Sequence, residues 1–248
     1  MTFQDVCETA ASTAPSDGSR GTGATGRDGA GSGVCDLIIG QLLCARVCHD
    51  LIGPTAAINA GEELIRDGDD SEEARDLIAE SARQLSGRLS FFRALFSQGV
   101  AAGAGYGLAE ARTLTEGFLL GSRVCLDWPA QAGDGALPAE GIRPLMGMIM
   151  LAADTLSRGG TVRIRLHREH GEARVELQAT GARVHLAPEL LQALHSEDAG
   201  SLSARTVHAF HLGRLVRLNH AELSIDATEG QSLQMRLRLS APDLRAAA

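Results

Sequence analysis

The chain has no lysine; all 23 of its basic residues are arginine, set against 31 acids for a net charge of -8. That balance offers no general attraction for nucleic acid or for an anionic membrane surface. Aromatic residues make up only 3 % of the chain. Stacking platforms for single-stranded nucleic acid are thereby excluded, and cores must be built from Leu, Ile, Val, Ala and Met. No uninterrupted apolar run approaches the roughly 20 residues of a membrane-spanning helix. The five cysteines, Cys7, Cys35, Cys44, Cys48 and Cys125, are odd in number and form no CxxC pair. Such usage fits a reducing cytoplasm and no disulfide framework. The N-terminus lacks the basic start and apolar run of a signal peptide.

What is present divides the 248 residues into unequal parts. Residues 1–34 are rich in Ser, Gly, Ala and Thr, bury too little to offset their ordering entropy, and read as a disordered tail. From Cys35 a helical pattern begins. Leu37, Cys44, Leu51, Ile58 and Ile65 recur at seven-residue spacing as one apolar row. Asp67-Gly68-Asp69 breaks it, and Asp70-Ser71-Glu72-Glu73 starts a second helix, with Asp70 as the expected cap. Ile78, Leu85 and Phe92 form one row of that helix, and Ala82, Leu89 and Phe96 its companion. Two long helices with a short turn make an antiparallel hairpin over residues 35–100. One hairpin cannot cover both apolar rows, so a four-helix bundle formed by a homodimer is expected.

Residues 101–107 read as a Gly/Ala linker, and residues 108–241 as an α/β domain. Helical patterns at Leu108–Leu120 and Arg143–Leu156 flank a strand at Arg123–Trp128. Alternation predicts a hairpin of Thr161–His167 and Ala173–Ala179 around His170-Gly171. Ala187–His195 and Ser203–Leu218 read as helices, and Glu222–Asp226 and Leu233–Leu239 as closing strands. The fold class is α+β: a helical hairpin, then a mostly antiparallel sheet with helices on one face.

The chemistry concentrates at Cys44-Ala-Arg-Val-Cys-His-Asp-Leu-Ile-Gly-Pro54. At 100° per residue His49 lies about 160° around the helix from the apolar row, so its imidazole faces outward. Arg46, one turn earlier, has the charge to neutralise a phosphoryl group on the ring. Asp50 can orient the imidazole and fix its reactive tautomer. Gly53 leaves steric room. Pro54 has no N–H, so the Asp50 carbonyl loses its helical partner and a local bend is favoured.

His49, Asp50, Leu51 and Pro54, on the first helix of a hairpin, resemble the phosphoacceptor box of two-component signalling. Over residues 35–240 the chain is similar to the ChpT-type histidine phosphotransferases of alphaproteobacterial cell-cycle phosphorelays. That family pairs a kinase-like hairpin with a degenerate ATPase-like domain and works as a dimer. The degeneracy is visible here. Ala152 and Ala153 stand near where a kinase carries its Mg²⁺-binding Asn. Ala179-Thr180-Gly181-Ala182-Arg183 lacks the adenine-binding Asp, and Ala199-Gly200-Ser201 is no phosphate cradle. No ATP binding and no resident metal are therefore expected, with Mg²⁺ brought by the partner.

The resemblance implies a phosphoryl carrier. His49 would accept phosphoryl from the receiver domain of a hybrid histidine kinase and pass it to response regulators. Arg46 and Asp50 would support it, and the exposed part of the first helix, around Ala45, Ile52, Gly53 and Ala56, would be the docking surface. The alternative is a dimeric scaffold that docks regulators without moving phosphate. Cys44, Cys48 and His49 make a poor metal site, since no fourth ligand appears and the ring points away from Cys48. Cys44 reads instead as small core filler on the apolar row. His208 and His211 read as surface or satisfied histidines.

Overall fold

The computed structural model describes residues 28–68, 71–96, 106–129, 137–169 and 171–240. The expected tail through residue 27, the cap at Asp70, and most of the expected linker (101–105) lie outside these residues.

Helix α1 spans Asp28–Arg66 and α2 spans Glu72–Phe96. Helix α1 therefore begins upstream of Cys35, inside the segment expected to be disordered; extending an existing helix needs no new nucleus, so a Gly-rich flank can join it. Its end is where the turn residues place it, with Gly68 at φ 96°. The cap of α2 is made by Ser71, whose Oγ accepts the Ala74 N–H at 3.3 Å, the N3 position served by a capping hydroxyl.

The second part follows in chain order: α3 (Leu108–Leu119), β1 (Val124–Asp127), α4 (Ala139–Thr155), β2 (Gly160–Glu169), β3 (Glu172–Thr180), α5 (Pro188–His195), α6 (Val207–Leu218), β4 (Glu222–Thr228) and β5 (Ser232–Leu239). Helix α4 starts at Ala139 and not at Arg143; Pro144 lies inside it, beyond the first-turn position where proline is normally read as a helix start.

The five strands are ordered β1-β2-β3-β5-β4. Strand β1 runs parallel to β2, and every other pair is antiparallel. Alternation decides the two faces. Val162, Ile164, Val175, Leu177, Leu233, Met235 and Leu237 are buried beneath the helices. Their neighbours Arg163, Glu176 and Arg236 face solvent. Residues Leu145 through Ala152 of α4 are all buried, making it the central helix of the layer.

Four of the six phenylalanines, Phe91, Phe92, Phe96 and Phe118, meet in one cluster. Phe91 of α2 stacks on Phe118 of α3 with centroids 4.2 Å apart, and Phe92 meets both. Phe96 packs edge-on against His211 of α6. Just N-terminal to Phe91, α2 and α3 approach so closely that a Cβ on Gly87 would lie 2.3 Å from the Gly117 carbonyl oxygen. Bare backbone is what permits this crossing. Ile39 of α1 is buried in the same core, with Leu43, Val47 and Leu51 packed against it.

The seven-residue row of α1 splits. Leu51, Ile58 and Ile65 are half-buried, whereas Leu37 is 62 % exposed and Cys44 is also exposed. Cys44 is thus not core filler within this chain. A straight helix of 3.6 residues per turn drifts away from a strict seven-residue row, so the buried stripe passes instead through Ile39, Arg46, Pro54 and Gly61.

Candidate functional site

Four helices, α1, α2, α4 and α6, build the site. Helix α1 carries His49 outward, with its side chain 82 % exposed. The ring's Nδ1 lies 3.1 Å from Oδ1 of Asp50. An ionised carboxylate only accepts, so this contact makes Nδ1 the protonated nitrogen and leaves the lone pair on Nε2. Asp50 is held elsewhere as well. Its Oδ2 accepts from Arg46 Nε at 2.9 Å, and its backbone carbonyl accepts from Arg88 Nη1 of α2 at 2.6 Å.

That last bond is a direct consequence of Pro54. Having no N–H, Pro54 frees the Asp50 carbonyl, and the guanidinium of Arg88 takes the acceptor that the helix cannot use. Proline, acid and arginine thereby fix α1 to α2 beside the imidazole.

Arg46 departs from its expected place. Its side chain is only 13 % exposed and faces the second domain, where Nη2 donates to Oδ1 of Asp154 on α4 at 2.8 Å. It is thus engaged by two carboxylates and is not free beside the ring. Burial alone would lower its proton affinity, but Asp154 and Asp50 outweigh that and raise it above the ordinary arginine value. Asp154 also faces His208 of α6, with Oδ2 3.1 Å from Nε2. Burial would raise the Asp154 pKa, but His208 and Arg46 hold it down at about 2. His208 is 3 % exposed, so it is no surface residue. Its Nε2 sits at ion-pair distance without the alignment of a hydrogen bond, and its Nδ1 has no hydrogen-bonding partner.

Sequence reasoning missed Asp154, His208 and Arg88. The signal for Arg88 was there in principle: Pro54 orphans a carbonyl, and an orphaned carbonyl requires a donor. For Asp154 and His208 the clue was weaker, an acid and a histidine inside two strongly apolar helices.

Around the imidazole the surface is small and apolar. Ala45, Gly53 and Ala56 are exposed and Ile52 is 63 % exposed. A Cβ built on Gly53 meets nothing within 4 Å, so the open space there belongs to the surface and not to a packing contact. Cys48, next to His49 in sequence, is exposed too. Arg214 pairs with Asp36 at 3.1 Å, and Arg217 donates to the carbonyls of Leu194 and Ser196 at the end of α5.

A helical hairpin presenting an outward imidazole, followed by a sheet covered by helices on one face, is the architecture of a two-domain phosphotransferase. The family model for the histidine phosphotransferase C-terminal domain matches residues 108–231. The protein phosphotransferase ChpT of Brucella abortus (strain 2308) is 30 % identical over 194 residues, covering 77 % of this chain and 91 % of the relative. The chain belongs to the histidine phosphotransferase family. A solved bacterial phosphotransferase is 28 % identical and superposes with a TM-score of 0.69, over 81 % of this chain and 96 % of that one. A histidine kinase domain from the blue-light activated kinase of Erythrobacter litoralis EL346 is similar at a TM-score of 0.41 and 12 % identity.

Proposed function

We propose that His49 is the phosphoacceptor of this phosphorelay protein, loaded by the receiver domain of a hybrid histidine kinase and discharged to response regulators. The observation that carries the reading is the exposed ring of His49 with its Nδ1 on Asp50. The Nε2 lone pair attacks the phosphorus of a receiver aspartyl phosphate. The P–N bond forms as the P–O bond breaks, and the electron pair leaves with the receiver carboxylate. With Nδ1 still protonated the ring becomes cationic, and the Asp50 carboxylate offsets that charge as it develops. Transfer back to another receiver reverses these steps. Catalysis is positioning and charge compensation, and the metal and acidic pocket come with the receiver.

Docking uses Ala45, Ile52, Gly53 and Ala56, a surface small enough to let a receiver's active-site mouth reach the ring. Arg46 acts through Asp50 and not on the phosphoryl group. The chain works as a homodimer, in which a second copy covers the apolar surface that the hairpin leaves at Leu37, Leu77 and Leu89. A four-helix bundle is the economical way to do this. No ATP is used: α4 carries no Asn, and Asp154 is turned toward Arg46 and His208. Among the described residues no helix is long and apolar enough to cross a membrane. The cytoplasm, where receivers and regulators reside, is the assigned compartment.

The test is label transfer. A radiolabelled phospho-receiver is mixed with the protein, and acid-labile, base-stable label should appear on the wild type but not on His49→Gln. Intact docking with no movement of label would replace this reading by a scaffold.

A further inference from the structure

The chain of contacts behind His49 does not stop at Asp50. It runs from His49 Nδ1 to Asp50 (3.1 Å), to Arg46 (2.9 Å), to Asp154 (2.8 Å) and to His208 (3.1 Å), crossing α1, α4 and α6. We propose that Asp154 and His208 are positioning residues for phosphoryl transfer, fixing through Arg46 the carboxylate that sets the tautomer and orientation of His49. The inference rests on the reading of His49 as the phosphoacceptor.

Each link restricts the next. The guanidinium is a rigid planar fork, so anchoring Nη2 on Asp154 fixes where Nε points. Nε then fixes Oδ2 of Asp50, and the carboxylate plane puts Oδ1 on the ring. Without Asp154, Arg46 would be free to rotate about its long side chain, and Asp50 would be free to leave the imidazole. The ring is 82 % exposed, so little packing holds it, and among the described residues Asp50 is its hydrogen-bonding partner.

The helices offer no local reason for the two distal groups. Asp154 lies in the last turn of α4, where the carbonyl ends of the helix disfavour an acid and no basic residue of that turn compensates. His208 is buried in the first turn of α6, among the apolar residues of that helix. An ion cluster in such places is replaceable by apolar side chains without loss of stability in many proteins. Its presence here, ending on the outward imidazole of His49, is explained by what it does to that imidazole.

The experiment compares full-length wild type with Asp154→Asn and His208→Gln. Single-turnover transfer from a phosphorylated receiver is measured across receiver concentrations, and the ring nitrogens of His49 are followed by nitrogen-15 NMR. For Asp154→Asn the rate at saturating receiver should fall about ten- to hundredfold, the loss typical of a displaced reacting group. The half-saturating receiver concentration should stay as in wild type. The His49 signals should move from the Nδ1–H form toward the Nε2–H form. His208→Gln should show the same pattern more weakly, and it decides the matter if Asp154→Asn does not fold.

Wild-type saturation rates with an unaltered tautomer overturn the proposal, as does a loss confined to half-saturation. Failure of the wild type to take up label from any receiver overturns the phosphoacceptor reading itself. Label uptake that survives while the tautomer is indifferent to Asp154 overturns only the positioning role.

Discussion

Replacing Gly87 by alanine tests how closely the fold and the site are tied. Gly87 lies inside α2, where alanine alone would favour the helix by about 1 kcal/mol. The crossing with α3 reverses the sign. The new Cβ would fall 2.3 Å from the carbonyl oxygen, 2.6 Å from the carbonyl carbon and 2.9 Å from the Cα of Gly117. All three are backbone atoms, so no side-chain rotation relieves the contact. Restoring van der Waals separation requires the two helices to part by about 1 Å. That movement opens the Phe91–Phe118 stack at 4.2 Å, and overpacking of this kind costs about 1–3 kcal/mol or more. The net expectation is a loss of about 2 kcal/mol, which for a chain of this size lowers the melting temperature by about 4–8 °C. Urea unfolding at constant slope measures it. Because Arg88 adjoins Gly87 and holds the Asp50 carbonyl, transfer from a phosphorylated receiver should slow as well. Gly117→Ala is the control: its Cβ comes no nearer than 3.2 Å, to the Gly87 Cα, and should cost less. A Gly87→Ala protein as stable as wild type would refute the argument from close approach.

Gly53→Ala should have the opposite effect on the fold, raising stability by about 0.5–1 kcal/mol in thermal unfolding, because its Cβ points into open space. A bulky residue there, such as Gly53→Leu, should leave folding intact and raise the receiver concentration needed for half-maximal transfer. Arg88→Leu strips the Asp50 carbonyl of its donor and should cost about 1–3 kcal/mol in urea unfolding, with slower transfer. Acid should weaken the contact between α2 and α6. Burial lowers the pKa of His211 from 6.5 to about 4, with Arg214 and Arg143 adding to the effect against the opposing carbonyl of Leu95. Between those values the unfolded chain binds a proton that the folded one excludes. Stability is therefore full above pH 6.5, falls as pH drops toward 4 by at most about 3 kcal/mol, and then levels. His211→Gln should flatten that segment of the stability-versus-pH curve.

Much of this chemistry is local and could be read from the chain alone. The position of His49 follows from counting around one helix, and its acidic neighbour is next in sequence. The freed carbonyl at Asp50 follows from Pro54 being an imino acid. Strand faces follow from alternation along β2, β3 and β5, since each strand residue points opposite to the one before it. The start of α4 was obscured by Pro144, and the cap of α2 by two adjacent residues able to play the role.

By itself the sequence determined that an outward imidazole rides a hairpin helix beside an acid and that an alternating sheet follows. Only the tertiary structure decided which groups hold that imidazole. Arg88 comes from the other helix of the hairpin, and Asp154 and His208 from two helices of the second domain. Periodicity fixes which side of a helix a residue occupies, but not which distant charge it meets. Arg46 shows the difference: one turn from His49 it was expected beside the phosphoryl group. Burial made an unpaired guanidinium costly, and the carboxylates of Asp50 and Asp154 drew it inward.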